Sequence, residues 1–225
     1  YDILLQADQI YNRSKIMGGL GLDPSKKMIL WATQTHAFSH DENFKNVNAV
    51  YTAMSLLKDV QLVIKLHPDE DQSAPLYAEN RSYKPLILGR DVDIYGLLFA
   101  CDLLITKNST TALEAAVLNK PVIILNLSNE PDQVNYVHEG IALGVYESAD
   151  LASAIKRSLD DDQLLEQLKA GRENYVEKYL YKNDGNATKR VLDLIMSLLP
   201  NEMTSSSSQN SPDHHGTCQV DQAEE

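Results

Sequence analysis

The chain has 225 residues, 43% apolar and 23% charged, an ordinary globular composition with room for one large or two small domains. Its net charge of −12 argues against nucleic acid or an anionic membrane surface as partner. No apolar run is long enough to span a bilayer, no signal peptide opens the chain, and Cys101 and Cys218 make no disulfide framework, so a reducing, cytoplasmic setting is expected.

Residues 1–21 read as a helix ending in a glycine turn, and the opening at Tyr1 leads us to expect a piece of a longer protein. Gly18, Gly19 and Gly21 precede the first strand, where a dinucleotide-binding loop would follow it, so they are read as a turn only. Met28–Ala32 (MILWA) is the first predicted strand, and Thr33–Glu42 is a polar loop with Asp41 or Asn43 as helix cap. Phe44, Val47, Val50, Tyr51, Met54 and Leu57 then recur at helical spacing as one buried stripe. Val60–Leu66 (VQLVIKL) is the second strand, stopped by His67 and Pro68, and Asp69, Glu70 and Asp71 read as a solvated acidic run. Leu86–Leu88 is the third strand, the loop Gly89–Asp93 (GRDVD) follows, and Ile94–Ala100 is a short helix.

The most informative stretch is Cys101–Asn126, CDLLITKNSTTALEAAVLNKPVIILN, which reads as strand, polar turn, helix, strand. Lys107–Thr111 (KNSTT) is the turn, Ala112–Leu118 the helix, and Pro121 stops it before the strand Val122–Leu125. After the loop Leu127–Glu130 a helix is expected from Pro131 to near Gly140, because proline favours the first helical position. Ala142–Tyr146 is a last edge strand, Ser148 caps a helix to about Leu159, and Asp160–Asp162 start another. Asn186–Leu199 is a final helix, and residues 200–225, polar and serine-rich with His214 and His215, form an acidic tail expected to be disordered.

Strands alternating with helices at this spacing imply an α/β, doubly wound, mostly parallel Rossmann-like sheet with helices on both faces. Ligands bind such sheets beyond the carboxyl ends of the strands. The loops there carry Gln34, Thr35 and His36; His67; Arg90, Asp91 and Asp93; Lys107, Asn108, Ser109, Thr110 and Thr111; and Glu130, Asp132 and Gln133. Two readings of Ser109, Thr110 and Thr111 stay open. They are helix caps, with Thr111 and Glu114 forming a capping box, or they cradle a phosphate while Glu114 accepts from ribose hydroxyls. Lys107 pairs with phosphate or is solvated, and His67 is an exposed strand-end residue or a hydrogen-bond donor to phosphate. No cluster of metal ligands stands out.

On these residues, CDLLITKNSTTALEAAVLNKPVIILN followed by NEPDQVNYVHEGIAL resembles the carboxyl-terminal, donor-binding domain of GT-B nucleotide-sugar glycosyltransferases, a fold shared by UDP-N-acetylglucosamine 2-epimerases. VIKLHP is similar to the His-Pro motif of capsule, sialic-acid and teichoic-acid polymer transferases, and the resemblance covers about residues 26–199. It implies a linker over 1–23, a nucleotide-sugar-binding domain over 24–199, and a missing amino-terminal domain toward which the final helix returns. The donor's phosphates then fall to Ser109, Thr110, Thr111 and Lys107, its ribose to Glu114, and its base to the backbone around Asp91–Ile94. Its sugar or phosphates fall to Thr35, Glu130, Asp132 and Gln133, while His67 touches the phosphate as a leaving-group contact.

The resemblance implies a metal-independent transferase with no cofactor, using a UDP-, CMP- or CDP-linked donor in surface polysaccharide or glycan synthesis. The catalytic base and the site for a glycan or lipid-linked acceptor are expected on the missing domain, together with any peripheral membrane association, so this piece alone should be inactive. Where epimerases carry a glycine-rich turn and an arginine-bearing acidic loop, this chain has NSTT and NEPD. An epimerase-like enzyme and a nucleotide-binding module without catalysis remain as alternatives.

Overall fold

A computed structural model describes residues 2–34, 40–70, 76, 77, 83–180, 182 and 184–199. Six strands form one parallel sheet: β1 (Lys27–Ala32), β2 (Val60–Lys65), β3 (Leu86–Leu88), β4 (Leu103–Thr106), β5 (Val122–Leu125) and β6 (Leu143–Val145). Their order across the sheet is β3-β2-β1-β4-β5-β6. The register sets Ala32 beside Lys65, Lys65 beside Leu88, and Thr106 beside Ile124. This is the doubly wound α/β fold expected from the alternating elements.

The helices are α1 (Ala7–Ile10), α2 (Arg13–Gly19), α3 (His40–Ser55), α4 (Ile94–Ala100), α5 (Thr111–Val117), α6 (Leu151–Asp160), α7 (Asp162–Leu180) and α8 (Ala187–Leu198). Strand side chains alternate between faces, so the sheet has two cores. Ile29, Trp31, Leu62, Ile64 and Ile105 pack under Val47, Val50, Tyr51 and Met54 of α3 and Leu151 and Ile155 of α6. Met28, Leu30, Val63, Leu104 and Ile124 pack under Met17, Leu97, Leu98, Ala112 and Ala115 on the other face. Cys101 is buried there, and desolvation pushes its thiol up to about 12. None of the described helices is long and apolar enough to cross a membrane.

Several local expectations change. The single helix over 1–21 is a 3₁₀ segment (Asp2–Gln6) and two short helices, broken where the Asn12 side chain accepts from the Lys15 amide and caps α2. Phe44 is exposed rather than part of the stripe of α3. Ser148 opens a 3₁₀ turn (Ser148–Asp150) and does not cap α6, whereas Asp161 accepts from the Leu164 amide and starts α7. Residues 131–134 are irregular and 135–140 form consecutive turns, not a helix. The run Val134-Asn135-Tyr136-Val137-His138 consists of weak helix formers, and Tyr136 and Ile141 are instead drawn into the core, where the Ile141 amide donates to the Tyr136 carbonyl. The cysteine, histidines and acids of residues 200–225 lie outside the described residues.

Arg13 ties the amino-terminal segment to the sheet. Its guanidinium donates to the carbonyls of Pro24, Lys26 and Ala100 and to Asp102 at 2.8 Å, and Asp102 in turn accepts from the Met28 amide. The chain divides into two compact units, residues 1–186 and 187–225; in the second, Val191, Leu192, Leu194, Ile195 and Leu198 of α8 are exposed.

Gly171 sits inside α7, where glycine costs about 0.5–1 kcal/mol relative to alanine. The reason lies across from it: a Cβ at Gly171 would stand 2.0 Å from the Gly140 carbonyl oxygen, and Gly140 itself has φ +76°. Overpacking of this kind costs about 1–3 kcal/mol and outweighs the propensity gain. Gly171→Ala is therefore expected to lower the free energy of unfolding by about 1–2 kcal/mol in urea titration; unchanged or increased stability would contradict this packing.

Candidate functional site

All six strands run one way, so their carboxyl ends share an edge, and the strand order reverses between β1 and β4. Diverging connections at such a point open a crevice. Hydrogen bonds tie the loops after β1, β2, β4 and β5 to one another around it. Gln34 after β1 accepts from the Asn108 amide after β4 at 2.8 Å, and the Asn108 side chain donates to Gln133 from the loop after β5. This chain of hydrogen bonds crosses the switch point. Asn108 belongs to the expected Lys107–Thr111 turn, but its bridging role has no signal in the sequence, because an asparagine in a polar turn has no distinguishing spacing.

The Lys107–Thr111 turn uses its hydroxyls differently from a capping box. Ser109 Oγ accepts from the Thr111 amide at 3.2 Å. Thr110 is the cap residue, with helical φ and ψ and no side-chain cap bond, and it is exposed. Thr111 Oγ1 is buried without a hydrogen-bond partner. Glu114 makes no hydrogen bond to the start of α5 among the described residues, so the Thr111–Glu114 box is absent. The cap is Thr110 and not Thr111, so Glu114 falls one position beyond the third helical residue that a capping box needs. Glu114 is half-buried instead, and desolvation raises its carboxyl above the ordinary range. Lys107 is not solvated: it is buried, and its ammonium donates to Ser128 Oγ at 3.3 Å.

The β2 end is organised by a carboxylate. Asp69 is exposed as expected, but Glu70 is only 1% exposed, which corrects the reading of a solvated acidic run; Asp71 lies outside the described residues. Glu70 Oε2 accepts from Thr33 Oγ1 and from the His67 amide at 3.1 Å, and Oε1 accepts from Tyr77 at 3.2 Å. Burial, then the neighbouring Glu70 charge, push the Tyr77 phenol upward. The sequence hides Glu70 because its neighbours are acidic and nothing in the pattern separates the one that turns inward. His67 Nδ1 accepts from the Asp69 amide at 3.3 Å. The Asp69 carboxylate also lies 3.5 Å from this nitrogen, so both groups of Asp69 face Nδ1, and Nε2 is the ring nitrogen turned away from Asp69.

The remaining candidates divide. Asp93 caps α4 through the Tyr95 amide at 2.9 Å and accepts from Tyr11 at 2.6 Å; burial and then this bond raise the Tyr11 phenol to about 12. Asp91 is exposed. An apolar groove of about 260 Å³ opens beside Asp93, between Ile16 and Leu20 of the amino-terminal segment and Val92 and Leu97. Asp132 has both oxygens engaged, by Asn126 at 2.8 Å and by Tyr146 at 2.7 Å, so it braces the loop after β5. Burial, then the Asp132 bond, raise the Tyr146 phenol to about 12. Glu130 and Gln133 are exposed, with the Glu130 carbonyl held by Asn126. Thr35 and His36 lie outside the described residues. Among the described residues no group of three His, Cys, Asp or Glu side chains could hold a metal ion.

Glu114 yields a pH-dependent expectation. A raised folded-state carboxyl value means that folding binds the proton more tightly than the unfolded chain does, so Glu114 lowers stability as pH rises through and above that range. Glu114→Gln is expected to melt higher than the parent at pH 7, with the gap closing below pH 4.5, the ordinary glutamate value. A lower melting temperature at pH 7 would mean that the carboxylate holds the helix start after all.

Comparison with known proteins converges on one group. The family described as CDP-glycerol:poly(glycerophosphate) glycerophosphotransferase matches residues 1–197. The teichoic acid glycerol-phosphate primase of Bacillus subtilis (strain 168) is 23% identical over 198 residues, covering 84% of this chain and 48% of the primase. The structure of the wall teichoic acid polymerase TagF superposes with a TM-score of 0.58 at 19% identity, covering 87% of this chain and 50% of that one. The S. aureus MnaA–UDP complex gives 0.60 at 22%, covering 82% and 49%, and a UDP-N-acetylglucosamine 2-epimerase gives 0.55 at 18%, covering 89% and 48%. The chain thus spans about half the length of the curated relative and of these structures. The GT-B-related fold is shared by all of them.

Proposed function

Because this chain belongs to the CDP-glycerol:poly(glycerophosphate) glycerophosphotransferase family, we propose that it is the nucleotide-binding half of an enzyme moving glycerol phosphate from CDP-glycerol onto a teichoic-acid-type polymer. The transferred group is then glycerol phosphate, where the resemblance alone implied a sugar or sugar-like group. An acceptor hydroxyl attacks the glycerol-bound phosphorus, the bond from that phosphorus to the bridging oxygen breaks, and CMP leaves with the electron pair. The acceptor's proton goes to a base outside this chain, on the half that the longer relatives possess.

The observation that carries the reading is that two neighbouring residues just past β1 hold both loops: Thr33 takes the His67 amide, and Gln34 takes the Asn108 amide of the Lys107–Thr111 turn. Negative charge grows on the departing phosphate, and preorganised donors stabilise it without reorganising at the moment of reaction. The hydroxyls of Ser109 and Thr110 and His67 Nε2–H are donors of this kind, whereas the first amides of α5 are already taken by Ser109 and Thr110. The step needs no metal in this account. Glu114, one turn into α5, accepts from the ribose hydroxyls; a carboxylate held partly desolvated gains from donors that the nucleotide brings. The groove beside Asp93 receives the base.

Calorimetric titration of the chain with CDP, UDP and GDP tests this. CDP is expected to bind most tightly, and Glu114→Gln to weaken it by about tenfold or more, since a hydrogen bond to a charged group contributes roughly 1.5–3 kcal/mol. A 2′,3′-dideoxy analogue should bind parent and variant alike. No binding of any nucleotide at millimolar concentration would overturn the reading, and a preference for UDP would redirect it to a UDP-linked donor.

A further inference from the structure

Glu70 is the most deeply buried carboxylate among the described residues, and nothing in the donor-site assignment uses it. Burying an ionised carboxylate costs several kcal/mol unless its lone pairs are satisfied. Here they are: Oε2 takes the Thr33 hydroxyl and the His67 amide, and Oε1 takes the Tyr77 phenol. The His67 amide is shared with Thr33 Oγ1 at 3.0 Å, so the last residues of β1 and β2 are tied through one carboxylate.

The acid is itself held from behind. Tyr77 is 2% exposed, its carbonyl accepts from Tyr51 of α3, and its ring meets Trp31 of β1 edge-on at 5.5 Å between centroids. A rigid connection therefore runs from α3 and β1 through Tyr77 to Glu70 and on to the backbone of His67. The Glu70 amide closes the same turn by donating to the His67 carbonyl at 2.9 Å. With the turn closed, the Asp69 amide reaches His67 Nδ1. Each end of the histidine's backbone and its inner ring nitrogen are thereby fixed by Asp69 and Glu70.

We propose that Glu70 is a positioning residue that sets the orientation of the His67 imidazole, so that Nε2–H faces the switch point. The use of that orientation rests on the reading of His67 as a donor to the departing phosphate. A carboxylate is suited to the task because its two oxygens accept from three donors in separate segments, Thr33 past β1, the His67 amide past β2 and Tyr77 behind them. Merely structural burial would be served as well by an apolar side chain of similar volume.

Two measurements on the full chain test this. Three-bond NMR couplings reporting the His67 χ1 rotamer should show one rotamer in the parent and averaging in Glu70→Gln, whose single acceptor oxygen must choose between His67 and Tyr77. Gln conserves volume, and a cooperative melt confirms that the variant is folded; Glu70→Asp, which keeps both oxygens, should partly restore the single rotamer. An unaveraged rotamer in folded Glu70→Gln overturns the proposal, whether or not nucleotide binds. In the second measurement, Glu70→Gln and His67→Ala are each expected to weaken CDP binding by about tenfold, and the double variant to weaken it no more than either alone. Additive losses would show that Glu70 does not act through His67, and overturn the proposal. Averaging of the rotamer in a chain whose parent binds no nucleotide would uphold the hold on His67 and overturn the nucleotide reading alone.

Discussion

A parallel sheet delivers the ends of all its strands to one edge, and every backbone group there must find a partner once the ladder stops. In this chain the Thr33, Leu66 and Asn126 amides still find backbone carbonyls of the next strand, and one residue further on the partners become side chains. Thr33 and Glu70 receive the His67 amide, Gln34 receives the Asn108 amide, and Asn126 receives support from the loop it precedes. The edge at the β1/β4 switch point is thus held by polar side chains from several loops, each fixed by another. Function and fold share this constraint: the groups that complete the strand ends also fix the spacing of the loops that would meet a ligand.

Two buried or half-buried carboxylates at that edge show opposite solutions. Glu70 has its oxygens filled by Thr33, His67 and Tyr77 and belongs to the framework. Glu114 is half-buried with its proton affinity raised, and desolvation is the leading cause. A carboxylate kept in this condition lowers the stability of the free protein and gains most when donors arrive. Such local conflict between stability and chemistry is common where proteins bind ligands.

The sheet was legible because its strands are short apolar runs bounded by clear stops, as at His67-Pro68 and Pro121, and because buried parallel strands need no alternation. The Lys107–Thr111 turn and its helix were legible for the same reason. What was hidden depended on partners distant in sequence. Pro131 suggested a helix, but burial of Tyr136 and Ile141 won over a favourable first position. Thr111 and Glu114 had the spacing of a capping box, but Thr110 took helical dihedrals and the Ser109 hydroxyl took the amide. Glu70 looked like its acidic neighbours until Thr33 and Tyr77 appeared beside it. Asp132 looked ligand-facing until Asn126 and Tyr146 were seen to occupy both oxygens.

The central claim is that a nucleotide's phosphates sit at the β1/β4 switch point, between the start of α5 and His67. Amide chemical-shift mapping during a CDP titration tests it most directly. The account predicts that the largest shifts fall on residues 107–114 and on His67, with smaller ones over 89–95. Shifts confined to the amino-terminal edge of the sheet, or to α6 and α7, would contradict it.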